Sequence, residues 1–239
     1  MSITITLHPP PTPILALRLT RLRLEESFRQ VAYVLGLRRQ AAYLLAELNI
    51  PDSELAKKAT ALVTEVSPRF LVNHCIRAYL FGAALGLRDG MIFDNEVLYL
   101  AAIMHDLGLT ASFDGPNPFE LEGARAARSF LLDHHYDARK ADLIHEAIAL
   151  HTSVGVAVRR EAEVALVQSG SGLDVVGLRF QDLSGVMIKE IVTAYPRLQL
   201  KKQLIPLAQQ KVQGKPGCPL GALMKLGFSR LVRTAPFAE

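Results

Sequence analysis

Apolar residues recur along most of the chain at intervals of three and four, the period of a helix face packed on a core. The pattern predicts a helical stretch over 14–48 with a break near Leu35–Leu37. Pro51, Asp52 and Ser53 then cap a helix running to about Val66. Pro68 opens a further helix to about Leu87, with Ser67 as its N-cap and "RDG" as its end. Helices follow over 95–107, stopped by Gly108, over 119–135 and over 140–153. "SGSGLD" at 169–174 reads as a glycine-rich turn. Two more helices are expected around 181–195 and 197–212, a turn at 214–219, and a short helix within 220–232. "SITITL" at 2–7 alternates like a strand, but prolines follow at once, so 1–13 is treated as a loose arm. No strand-rich region and no internal repeat competes, and the fold class is all-α. The chain divides into an N-terminal extension, 1–50, and a main domain, 51–239.

Polar residues inside the apolar stripes stand out. His74 lies three residues after Leu71 and four before Ala78. His105 continues Leu98 and Ala101, and His151 continues Ile144, Ala147 and Ile148. Three imidazoles therefore project from apolar faces of three helices. Asp106 adds a carboxylate beside one of them, and Asp174 offers another in or after the glycine-rich turn. Buried imidazoles and carboxylates together suit a divalent metal, which neutralises the acids and needs neutral imidazole. Two nitrogen and two oxygen donors fit Zn(II) or Fe(II), with Mn(II) a poorer match. His8, His134, His135 and His145 lie off these faces and are expected at the surface.

Composition narrows the class. Half of the 239 residues are hydrophobic, which suits a globular chain with a real core. The net charge is +4, with no dense Lys/Arg stripe interleaved with aromatics, so nucleic acid is not an expected partner. The cysteines, Cys75 and Cys218, make no disulfide framework and suit a reducing, cytoplasmic setting. No apolar run reaches the roughly 18 uncharged residues of a membrane span; "VAYVLGLRRQAAYLLAEL" comes nearest, and no membrane partner is expected. Residues 1–24 carry arginines and no acid, as transit segments do, but Pro9, Pro10, Pro11 and Pro13 interrupt a helix there.

His74, His105-Asp106 and Asp174 together resemble the H…HD…D signature of the HD-domain metalloproteins. "NHCIRAYLFG" (73–82), "LYLAAIMHDLGLT" (98–110), "FELEGARAARSFL" (119–131), "EAIALHTS" (146–153), "GSGLDVVG" (170–177) and "KPG" (215–217) are similar to the cyanamide hydratase-like branch. The resemblance implies a helical bundle holding one divalent metal by His74, His105, Asp106 and Asp174. His151 would stand beside the metal as proton carrier, with Glu146 orienting it or a ligand. Phe113, Phe119 and Tyr79 would set how the site closes. The implied reaction is addition of metal-activated water, through Asp106 and His151, to a small nitrile-type substrate. No organic cofactor is needed, and whether the protein forms a homo-oligomer stays open. A rival is a phosphohydrolase. Many HD proteins carry a phosphate-meeting lysine after the HD pair, but here Leu107, Gly108, Leu109 and Thr110 follow, leaving Arg77 as a substitute. A second rival is a non-catalytic, metal-stapled binding module.

Overall fold

The computed structural model describes residues 7, 9–215 and 218–239. The expected strand at 2–7, His8 and most of "KPG" fall largely or wholly outside them. Within them the protein is an all-α bundle of eleven α-helices with short 3₁₀ turns. The α-helices are α1 (Thr12–Val34), α2 (Glu54–Val66), α3 (Arg69–Arg88), α4 (Asn95–Met104), α5 (Phe119–Asp133), α6 (Ala138–Leu150), α7 (Ala162–Val176), α8 (Gly185–Ala194), α9 (Leu200–Val212), α10 (Pro219–Lys225) and α11 (Phe228–Thr234).

Local chemistry explains the starts. Ser53 accepts a hydrogen bond from the Ala56 N–H, Asp94 from those of Glu96 and Val97, Asp137 from those of Arg139 and Lys140, and Ser184 from that of Met187. Each satisfies donors that the first helical turn cannot. Pro68 is itself the N-cap of α3, one residue later than the expected Ser67. α1 begins at Thr12 and runs through Pro13, because a proline in the first turn lacks only an N–H that has no helical partner. It stops at Val34, at the expected break, and of the helical pattern beyond it only the 3₁₀ turn Leu45–Leu48 forms. Residues 35–44 instead cross the body, and Ala41 pairs with the 182–184 segment.

α3 and α7 form the centre, with α4 and α6 against them, α5 on α6 and α2 on α4. α3 is long and apolar enough to cross a membrane by length and composition, but 94% of that stretch is buried inside the bundle. "SGSGLD" is not a turn. It lies inside α7, where its glycines serve close packing. A Cβ on Gly170 would collide with the Ala78 carbonyl oxygen, and one on Gly82 would stand 2.8 Å from that of Leu166. The two backbones therefore touch only because side chains are missing there. Gly108 likewise does not cap α4, which ends at Met104. It lies in a 3₁₀ turn, Leu107–Leu109, pressed on the first turn of α5. α9, α10 and α11 build a smaller apolar cluster with Phe70, Leu71, Leu109, Phe119 and Val175.

Gly170→Ala should therefore lower the unfolding free energy by at least about 1–3 kcal/mol, the usual scale of overpacking. Gly185→Ala, at a position where a Cβ meets nothing within 4 Å, should leave it unchanged or raised. Urea midpoints of the two variants check this.

Candidate metal centre

His74 comes from the second turn of α3, while His105 and Asp106 follow the last turn of α4. Adjacent residues on a helix point about 100° apart, so both cannot normally reach one point. Here the helix ends between them. His105 keeps helical angles, and Asp106 leaves them at φ −103° and ψ 11° as the chain enters the 3₁₀ turn. That departure swings the carboxylate back beside the imidazole. All three side chains are buried, at 2%, 1% and 5% exposure.

The donor atoms form a nearly equilateral triangle. His74 Nε2 is 3.2 Å from His105 Nε2, and Asp106 Oδ2 is 3.5 Å and 3.4 Å from those two atoms. Ligands about 2.0–2.1 Å from one ion and at a tetrahedral angle lie ~3.4 Å apart, so the spacing fits a shared cation.

The proton inventory supports the same reading. His105 Nδ1 stands 2.7 Å from the Ala102 carbonyl, which only accepts, so Nδ1 carries the proton. His74 Nδ1 stands 2.7 Å from Asp174 Oδ2 and donates to it. In neutral rings both Nε2 atoms are then lone pairs aimed at each other and at a carboxylate. Burial pushes the His105 imidazole down to about 4, against the pull of Asp106, so it is neutral and available as a ligand. Three converging acceptors with nothing to accept from describe a cation site. His74, His105 and Asp106 would hold the ion, and a set of three leaves room for water or substrate.

Asp174, expected as the fourth ligand, is held elsewhere. Its Oδ1 accepts from Arg77 Nε at 2.9 Å and Arg197 at 2.6 Å, and its Oδ2 from Arg77 at 2.8 Å and His74 Nδ1. Burial alone would raise this carboxyl, but the Arg77 guanidinium and the His74 hydrogen bond hold it well below the usual carboxylate range. It orients His74 and sets its tautomer, the role that carboxylates often play behind metal-bound histidines.

His151 ends α6 and reaches the centre from another side. Its Nδ1 donates to the Ile148 carbonyl at 2.7 Å, leaving Nε2 as a lone pair 3.8 Å from Asp106 Oδ1. Its ring packs edge-on against His105 and Phe119, with centroids 4.9 Å and 5.5 Å away. Gln168 and Ser171 of α7 share the same cavity wall. Behind His151 lies Glu120, fully buried, whose Oε1 accepts from Thr152 at 2.6 Å while Oε2 has no partner among the described residues. Burial raises its carboxyl, partly offset by nearby His151. The sequence reading missed Glu120, yet it precedes Ala124, Ala127 and Leu131 at the spacing that singled out the histidines.

Other expected residues lie elsewhere. Glu146 pairs with Arg160 at 3.3 Å and bonds neither a ligand nor His151. The Tyr79 hydroxyl is spent on Leu48, Asn49 and Asn95. Phe113 packs on the main core and does not line the cavity, whereas Phe119 does. His134 and His135 are exposed at the end of α5, as expected. His145 is buried instead, near the Arg128–Asp142 pair that joins α5 and α6. Cys75 and Cys218 are both buried and unpaired.

Comparison with known proteins agrees with this geometry. Residues 71–169 match the family model of the HD domain, a span that contains His74, His105, Asp106 and His151. An uncharacterized protein of Clostridium beijerinckii is 21% identical over 80 residues, 34% of this chain and 51% of that protein. The chain thus spans about half the length of that relative.

Protein purified without added metal should carry one transition-metal ion per chain. Asp106→Ala should lose it, and His134→Ala and His135→Ala should keep it and change stability by no more than about 0.5 kcal/mol. Elemental analysis against protein concentration decides. Stoichiometric metal in Asp106→Ala would remove that residue from the ligand set.

Proposed function

We propose that this HD-domain protein is a metal-dependent hydrolytic enzyme that adds water to an uncharged electrophilic carbon, a nitrile-type C≡N group being the favoured head group. One observation carries the reading. His74, His105 and Asp106 converge at a cavity wall beside a further imidazole, His151, whose Nε2 lone pair is not needed to complete the triangle.

A divalent metal, when bound, would make water a nucleophile near neutral pH and offset negative charge developing on the substrate. His151 supplies the proton path. Its Nδ1–H is spent on Ile148, so Nε2 can accept the proton that the attacking water loses and return it to the substrate nitrogen. Oxygen thereby joins carbon and the proton joins nitrogen, giving an imidic acid whose remaining O–H proton shifts to that nitrogen to leave an amide or urea-like product. Asp174 keeps the His74 ring in one tautomer throughout, and Phe119 braces the His151 ring.

The charge around the site weighs against a phosphate ester. Arg77, the candidate phosphate partner, is enclosed and spent on Asp174 and on the Tyr195 and Pro196 carbonyls. Lys211 and Lys215 pair with Asp114. No lysine is found among the described residues that line the cavity. Arg23 of α1 is the one Lys or Arg among the described lining residues, so a phosphate group, with its ~−1.5 to −2 charge, would have a single guanidinium to meet it.

His151→Ala should keep the metal and the fold while turnover falls by about 10²–10⁴-fold, the usual worth of general acid–base assistance. His151→Gln should not recover it. The check is metal content together with kcat on nitrile and phosphate-ester panels. An emptied site would make His151 a ligand, an unchanged rate would remove its proton role, and turnover of phosphate esters alone would defeat the proposal. Bound metal with no turnover on either panel would favour a binding module.

A further inference from the structure

His74, His105, Asp106 and His151 occupy part of the wall of a cavity of about 710 Å³. At ~30 Å³ per non-hydrogen atom, the share of a water molecule in the liquid, that is room for roughly two dozen atoms. It falls within the ~300–1,000 Å³ of pockets that take drug-sized ligands. A nitrile of three non-hydrogen atoms would leave most of it unfilled.

Away from the metal-site residues the walls are largely hydrocarbon. Leu109 and Phe119 flank that end, and Val175, Leu204, Leu220 and Leu231 continue the lining through α7, α9, α10 and α11. The charged residues among the described lining, apart from the histidines and Asp106, are Arg23 and Glu26, of opposite sign. Glu26 already accepts the Arg179 N–H at 2.9 Å.

α1 covers this space without filling it. It is tied down by polar contacts: Arg18 to the Val154 carbonyl at 2.9 Å, Glu26 to Arg179, and Arg29 to the buried Asp182 at 2.8 Å. Leu15, Leu19 and Leu22 form its inward stripe. Leu15 alone of them is enclosed, at 3% exposure, while Leu19 and Leu22 stay half-buried and face the cavity. Apolar side chains aimed inward with open space before them lack the contact that would stabilise them.

We propose that the substrate is an uncharged, largely apolar molecule of drug-like size. Its single reactive polar group meets the His74–His105–Asp106 end, and its hydrocarbon body completes the packing between α1, α7 and α9–α11. The orientation rests on the metal-site reading above; the apolar class rests on the cavity walls. Each methylene moved from water to such walls contributes about a fourfold gain in affinity.

Calorimetric titration of the full chain, Zn(II)-loaded and metal-free, tests this with two probe series. Alkanehydroxamates from acetyl to dodecanoyl carry a metal-binding head, and primary alcohols from butanol to dodecanol carry none. Affinity should rise by about threefold to fourfold per methylene in both series, at least to the eight-carbon members. The hydroxamates should exceed the alcohols only in the loaded protein. Leu22→Arg, half-buried on α1, should flatten both slopes with an unchanged thermal transition. A flat chain-length dependence in the native chain, or tighter binding of phenyl phosphate or AMP than of any long-chain probe, would overturn the proposal. Steep slopes without any hydroxamate advantage would defeat the metal reading and leave the substrate class standing. A hydroxamate advantage with flat slopes would do the reverse.

Discussion

The buried carboxylate of Asp174 is the constraint on which the rest of the architecture turns. An unpaired carboxylate there would be driven to its neutral form by desolvation. Two guanidiniums and one imidazole surround it instead, from two separate parts of the chain. Arg77 and His74 come from α3, and Arg197 from the turn between α8 and α9. Arg197 also reaches Glu239 at 3.1 Å and lies 4.4 Å from the centre of the Phe237 ring, which ties the last residues to the core. Leu198 and Gln199 follow with φ of 52° and 60°, a left-handed pair unfavourable by roughly 1–2 kcal/mol per residue. That strain falls directly after Arg197, where Gln199 caps the start of α9. Removing any one partner would leave charges enclosed and uncompensated, which is far worse than never having placed them.

The same carboxylate sets the chemistry. With Asp174 on Nδ1, His74 turns Nε2 toward His105 and Asp106, and the Ala102 carbonyl does the same for His105. Close approach of α3 and α7 at Gly82 and Gly170 brings Asp174 within reach of His74. Packing, tautomer choice and donor geometry are therefore one problem with one solution. A second buried aspartate, Asp182, gathers Arg29, Arg88 and Arg179 and fastens α1 to the body. One arginine cluster thus serves the metal end, and the other the helix that covers the apolar end.

How much of this could be read from the residues depended on whether a helix buries one face or several. His74, His105 and His151 were found by period, since each continues a stripe of aliphatic residues. Glu120 obeys the same rule and was passed over because carboxylates are usually assigned to solvent. His145 was misassigned to the surface because a single-stripe reading fails for α6, which packs against α4, α5 and α7. The glycines of 169–174 were read for conformational freedom, but their use is the absence of a side chain at a helix contact. Asp174 is expected among the ligands from the motif alone, whereas its oxygens are taken by His74, Arg77 and Arg197. Arg77 is named from the sequence only as a phosphate partner and Arg197 not at all; they lie 97 and 23 residues from Asp174, and no local pattern contains their shared claim on it. The cavity under α1 was equally invisible, because residues 1–50 matched no motif.

X-ray absorption at the edge of the bound metal is the most direct measurement of the central claim, that two imidazoles and one carboxylate share an ion. The expected spectrum shows a first shell of nitrogen and oxygen with outer-shell scattering from two imidazole rings, unchanged in His151→Ala. An all-oxygen shell without imidazole scattering, or scattering from three rings, would contradict it.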